Sequence, residues 1–191
     1  MSKSQEICSL RFSIASMKFF VSLLSGLLCL VNGTLSAHAA TEGLNVEVLG
    51  VYFAPSPNLA SSIVRVIDES EHEVLVQAYG FTHNGIAQAL VRAHQRGVIV
   101  RVLLDKKSQS SNRFVIDVLA GADIDVREDG KHAIAHNKVM VIDQSIVITG
   151  SFNFTNSAVT RNAENFLVLR SLDLAQKYRS QWQNHWAHGV E

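Results

Sequence analysis

The chain is almost without cysteine: Cys8 and Cys29 are its only thiols among 191 residues. Both lie in a segment that reads as a secretory leader, so the processed protein is expected to have neither a disulfide nor a thiolate metal site, and a packed core must hold it together. Long apolar runs are scarce as well. The longest, Phe19 to Val31, has 13 residues, whereas a membrane-spanning helix needs roughly 20. No internal repeat, low-complexity tract or domain boundary follows residue 40, which argues for one domain over 40–191. With 47% hydrophobic and 18% charged residues the composition is that of a globular protein, and disorder is excluded.

The leader is assigned to residues 1–39. Lys3, Arg11 and Lys18 precede the apolar run, and Ala37-His38-Ala39 places small residues at the alternate positions that signal peptidase requires. Translation from Met17 gives a more usual leader of 23 residues with Lys18 as its charged start. Leu28 before Cys29 fits a lipoprotein site poorly. The expectation is therefore release into the periplasm or medium, with no stable membrane association. Removing the leader takes away three basic residues and Glu6, leaving 14 basic against 16 acidic groups. Any polyanion site must then be locally basic.

After the leader, short β-branched runs alternate with helical periods, the pattern of an α/β layer fold. Strands are predicted over Val46 to Phe53, Val74 to Tyr79, Val98 to Leu104, Ile124 to Val126, Val139 to Ile142, Ile146 to Thr149 and Glu164 to Leu169. Helices are predicted from Leu59, Ile63 and Ile67 (Ser56 as N-cap, Pro57 in the first turn), from Ile86, Leu90 and Ala93 (stopped by Gly97), over Phe114 to Leu119, and from Leu174, Tyr178 and Trp182. Val74 to Leu104 forms a β-α-β unit. Asp143-Gln144-Ser145 joins two strands as a tight reversal.

Chemistry concentrates between residues 136 and 153. Displacing an alcohol from a phosphodiester requires an attacking group, an acid for the departing oxygen, and positive charge or aligned donors around the other oxygens. On an extended segment His136 and Lys138 project to one face, because the strand period is two, while Asn137 points away. A histidine titrating near 6.5 can attack when neutral and donate a proton when charged. It needs an acceptor to fix its tautomer, and Asp143 and Glu164 are the candidates. Ser151 and Asn153, two apart after Gly150, supply hydrogen bonds to a phosphate or to the other side chains.

The string H-N-K-V-M-V-I-D followed by G-S-F-N-F-T resembles the H-x-K-x4-D and G-S-x-N signature of the phospholipase D superfamily, and the layout is similar to its small secreted bacterial endonucleases over the whole processed chain. The resemblance implies a mixed β-sheet flanked by helices on both faces, with one motif per subunit. It implies His136 as the nucleophile forming a phosphohistidine and Lys138 as the phosphate ligand. Asp143 falls in the motif's proton-handling and structural set, Ser151 and Asn153 in the polar shell, and Glu164 matches the acid that hydrogen-bonds the nucleophile. The superfamily mechanism uses two motifs. Here there is one, since His94 is followed by Arg96 and His132 by Ile134 where a lysine is required. A homodimer sharing one active site is the consequence expected.

Other features carry less. Lys106, Lys107 and Arg113 stand among polar residues after a strand, and read as a nucleic-acid contact or as a solvated loop. Lys131 and His132 extend a basic rim or are simply exposed. Asp123, Asp125, Glu128 and Asp129 match no calcium loop and are expected to be solvated, so neither metal nor cofactor is assigned. Trp182, Trp186 and Phe166 are expected in the core or at a dimer contact. The sequon at Asn153 is discounted because Asn153 belongs to the site. The resulting expectation is a metal-independent phosphodiesterase, a non-specific endonuclease acting on DNA, with RNA as a further substrate class. The alternative is a phospholipase D or cardiolipin-type lipid enzyme, for which no exposed apolar interfacial element is evident.

Overall fold

The structure, a computed structural model, describes residues 43–190; the leader expected over 1–39 and the alternative start at Met17 lie outside them. Thirteen segments follow in order. They are strand β1 (Glu47–Phe53), helix α1 (Leu59–Asp68), β2 (Glu73–Ala78), α2 (Asn84–Gln95), β3 (Ile99–Asp105), a 3₁₀ turn (Lys106–Ser108) and α3 (Gln109–Ala120). β4 (Asp125–Asp129), β5 (Lys138–Ile142), β6 (Ile146–Gly150), the short α4 (Asn156–Thr160), β7 (Asn165–Arg170) and α5 (Leu172–Trp186) complete it.

The strands form one mixed sheet in the order β1-β7-β6-β5-β2-β3-β4. The predicted β-α-β unit is present: β2 and β3 are parallel and α2 crosses between them, while β5 runs antiparallel to β2. β2 is buried at every position, as a central strand covered on both faces must be. Its alternate residues divide between two cores. Val74, Val76 and Ala78 face the cluster built with α1, α2 and α3, and Leu75 faces the smaller one built with Ala175 and Trp182 of α5. The expected mixed sheet with helices on both faces is thus what the chain forms. The reversal between β5 and β6 carries positive φ at Asp143 (49°) and Gln144 (54°), which turns the chain within the three residues between the paired Ile142 and Ile146, with the Ser145 amide donating to the Ile142 carbonyl at 3.1 Å.

Several boundaries differ from expectation, among them β4, which runs on to Asp129. α1 begins at Leu59 with Asn58 as its cap, because the Ser56 amide donates to the Val159 carbonyl at 3.1 Å and holds Ser56 outside the helix. Residues 106–120 are a 3₁₀ turn running into α3, not a loop before a short helix. The polar string misled because its inner face is satisfied by hydrogen bonds and not by apolar contact.

Candidate active site

The candidate site lies at one end of the sheet, where β2, β3 and β6 finish and β5 and β7 begin. Lys138 pairs with Ala78, Val139 with Thr149, and Gly150 with Phe166, so the two motif segments flank the end of β2. This is the carboxyl end of the parallel pair, the usual place for ligands on open α/β sheets.

His136 precedes β5 with its ring exposed, and Lys138 enters the strand buried, 6% exposed. The Lys138 ammonium donates to the His136 carbonyl at 2.8 Å. Both border Tyr79, whose ring centroid is 4.7 Å from that of His136 and 5.4 Å from the Lys138 Nζ. Strand phase thus brings the two side chains to one face as expected. Burial pushes the Lys138 ammonium below its ordinary value and the Glu164 carboxylate pulls it back up, so a cation is held in a partly dry site ready for an anion.

Ser151 links the two later segments. It donates to Glu164 Oε2 at 2.6 Å and accepts from the Asn165 amide at 3.1 Å, while Asn162 Nδ2 reaches Glu164 Oε1 at 3.1 Å. Asn153 packs against Gly80, and its buried Oδ1 has no hydrogen-bond partner among the described residues. Gly150 is dictated by close approach, since a Cβ there would collide with the Asn165 carbonyl and stand 2.6 Å from Phe166 Cα. The glycine lets β6 press on β7 and delivers Ser151 beside Glu164.

Other expected members are placed differently. Asp143 lies at the far end of β5, about 17 Å from Lys138 at the strand rise, where its carboxylate accepts from the amides of Glu71, His72 and Glu73 at 3.0, 2.8 and 2.9 Å. Within one chain it cannot orient His136 or handle its proton; it ties the turn to the start of β2. Glu164 makes no hydrogen bond to His136 in the single chain, being held by Ser151 and Asn162 instead. Lys106 and Lys107 are exposed at the same sheet end, on the 3₁₀ turn. No hydrogen bond or ion pair among the described residues joins them to His136 or Lys138, and Lys106 lies near Glu128 and Gly130. Glu128 and Asp129 are buried, at 8% and 1% exposure, not solvated, because α5 and the chain end close over β4. Trp182 and Phe166 are core residues, with the Trp182 indole donating to the Val76 carbonyl at 2.9 Å.

Two supporting residues were not singled out from the sequence. Asp105, buried at the end of β3, accepts from the Ala135 amide at 2.7 Å through Oδ1 and from the Ser108 amide at 3.0 Å through Oδ2, fixing the residue before His136. Asn112 of α3 is fully buried; it accepts from the Phe81 amide at 2.8 Å and donates to the Tyr79 carbonyl at 2.9 Å. The only sequence signal for Asn112 is a polar residue on the inner face of a helix whose start was itself misread.

Residues 63–186 match the family described as cardiolipin synthase, PLD-like domain. The chain belongs to the phospholipase D superfamily, a family of phosphodiesterases. A Rickettsia conorii protein named phospholipase D is 37% identical over 88% of this chain and 84% of its own length. Nuc from Salmonella typhimurium, a phospholipase D family member of known structure, is 32% identical with a TM-score of 0.73, covering 76% of this chain and 97% of that one. The mitochondrial cardiolipin hydrolase of Mus musculus is 28% identical over 69% of this chain, which spans 59% of that protein. In this phospholipase D superfamily member the residues that meet at the sheet end are therefore those of the H-x-K and G-S-x-N segments, and Asp143 is not among them.

Proposed function

We propose that this chain hydrolyses phosphodiester bonds in nucleic acid through a phosphorylated His136, with two copies meeting to complete one active site. The observation that carries the reading is an exposed His136 ring, without a hydrogen bond among the described residues, set beside a buried lysine ammonium in a chain with one such motif. An imidazole nitrogen of one His136 bonds to phosphorus as the phosphorus–oxygen bond to the leaving alcohol breaks. The second copy's protonated His136 gives its proton to that oxygen. Water then attacks, the second imidazole takes its proton, and the phosphorus–nitrogen bond breaks. Lys138 and the polar groups of Ser151 and Asn153 carry the phosphate charge, so the reaction is expected to need no metal.

Pairing of two chains is supported by an apolar strip at the site end of the sheet. Val51 and Phe53 of β1 are 52% and 68% exposed, and Phe53 pairs with Asn165, next to Glu164. The likeness to Nuc over nearly its whole length supports nucleic acid as substrate. Export by the leader directs the enzyme to the periplasm or medium. No helix among the described residues is long and apolar enough to cross a membrane.

The relatives named phospholipase D favour a second reading, a lipid phosphodiesterase. Ile134, exposed two residues before His136, would offer the site mouth one apolar contact. Purified enzyme incubated with plasmid DNA or with phosphatidylcholine vesicles, both in excess chelator, decides between them. DNA cleavage with a phosphate label trapped on His136, absent in His136→Ala, is the expected result. Vesicle hydrolysis with intact plasmid would replace the nuclease reading, and a fully active monomer by light scattering would refute the shared site.

A further inference from the structure

Three histidines from two distant parts of the chain converge on one buried carboxylate outside the site described above. The Asp129 side chain is fully buried at the end of β4. Its Oδ1 accepts from the amides of Lys131 and His132 at 3.0 and 3.3 Å, which fixes the carboxylate in place. Around it lie His132 Nδ1 at 2.8 Å from Oδ2, His185 Nδ1 at 3.6 Å from Oδ2, and His188 Nε2 at 3.4 Å from Oδ1. The rings crowd together, with centroids 4.6 Å apart for His132 and His185, 5.4 Å for His132 and His188, and 5.6 Å for His185 and His188.

Hydrogen bonding alone does not account for the cluster. One carboxylate serves three imidazoles, only His132 makes a short contact with it, and the buried His188 Nε2 has no hydrogen-bond partner among the described residues. A stranded buried nitrogen is costly. A divalent ion answers each point. Tetrahedral coordination with bonds of about 2.0–2.1 Å sets donors roughly 3.3 Å apart, and the contacts of 2.8, 3.4 and 3.6 Å bracket that spacing. Donor atoms of Asp129, His132 and His185 all lie within 4.8 Å of one another; His188 faces the other carboxylate oxygen, Oδ1, and its ring must swing inward to supply the fourth donor.

We propose that Asp129, His132, His185 and His188 bind one zinc-class transition-metal ion that fastens the segment before His136 to the end of α5. Imidazole with a single carboxylate suits zinc, cobalt or nickel, whereas calcium and magnesium require more oxygen. Four protein donors leave no open position, the mark of a structural ion and not a catalytic one. The Gln181 amide nitrogen sits 2.7 Å from His185 Nε2; turned about its amide so that Oε1 faces the ring, it would accept the outer N–H of the metal-bound histidine, as second-layer partners do. Gln77, now 2.7 Å from His185 Nδ1, yields that position to the ion. The same corner is already closed by pairing of Glu128 with Val190, at 2.7 and 3.0 Å. The ion adds a cross-link between residues 53 or more apart in sequence without touching the phosphate site.

The test uses the purified full chain, stripped with chelator, desalted and titrated with zinc chloride, with bound metal measured by mass spectrometry. One equivalent per chain is expected to survive desalting and to raise the melting temperature, reversibly with chelator. His132→Ala and His188→Ala, each removing a direct ligand, are expected to weaken retention by more than the roughly 10–100-fold that loss of an outer partner costs, and His136→Ala to leave it unchanged. Cobalt added to the unaltered chain should give the visible absorption of a tetrahedral nitrogen–oxygen site, a readout that stands even if a variant fails to fold. No retained zinc and no cobalt spectrum would overturn the proposal and leave a hydrogen-bonded histidine cluster. Retention in both histidine variants as tight as in the unaltered chain, or loss of it in His136→Ala, would overturn the proposal by placing the metal elsewhere.

Discussion

The ammonium of Lys138 is bonded to the carbonyl of His136, its neighbour two residues back, at 2.8 Å. A lysine carries three N–H groups, so one is used to anchor the nucleophile's own backbone and two remain for a phosphate. The pair is thus a rigid unit in which the residue that binds also positions the residue that attacks.

Phosphate binding should fail on the alkaline side earlier than an ordinary lysine would allow. Burial holds the Lys138 value below 10.5 while Glu164 pulls it upward. Below the folded value the ammonium is charged in both folded and unfolded chains, and its burial costs stability; that cost is relieved as pH rises from the folded value toward 10.5. Over the same interval the cation is lost and KM rises. Glu164→Gln should move this limb to lower pH, and Lys138→Arg should abolish it. Initial rates across the alkaline range test both.

Asp143→Asn should weaken the fold and spare the chemistry. Asparagine tolerates the positive φ of the turn but replaces a charged acceptor of three amides. A loss of about 1.5–3 kcal/mol in urea unfolding is expected, with kcat per folded molecule within about twofold of the parent. A large fall in kcat at unchanged stability would return Asp143 to the reacting set.

Asn112→Ala should strand the Phe81 amide and the Tyr79 carbonyl, at a cost of about 1–3 kcal/mol for each group. Because Tyr79 backs both His136 and Lys138, kcat should fall along with the melting temperature. Asn112→Asp keeps the acceptor for Phe81 and should recover part of the stability. Equal stability in the alanine variant would contradict the bonding described.

What was legible in the sequence was what periodicity encodes. The two-residue strand phase placed His136 with Lys138, whereas the close approach of β7 to Gly150 was visible only in the structure. Asp143 carried a motif position but no sign of direction, and only the length of β5 shows it at the wrong end. Asn112 and Asp105 were hidden for a different reason. Each satisfies backbone groups of a remote segment, and a polar residue doing so is indistinguishable in sequence from one facing water. His185 and His188 meet Asp129 only because α5 folds back over β4, a relationship no local pattern contains.

The sheet order also governs assembly. β1 pairs with β7 alone, and its partner residues Glu47 and Arg170 are separated by 123 positions. β2, α2 and β3 can assemble from nearby sequence, but the strand made earliest has no edge to join until the strand before α5 has emerged. Distant pairings of this kind are slow to form. The first of the described strands therefore waits for one of the last, and until it docks the edge of β7 beside Glu164 stays open to competing chains.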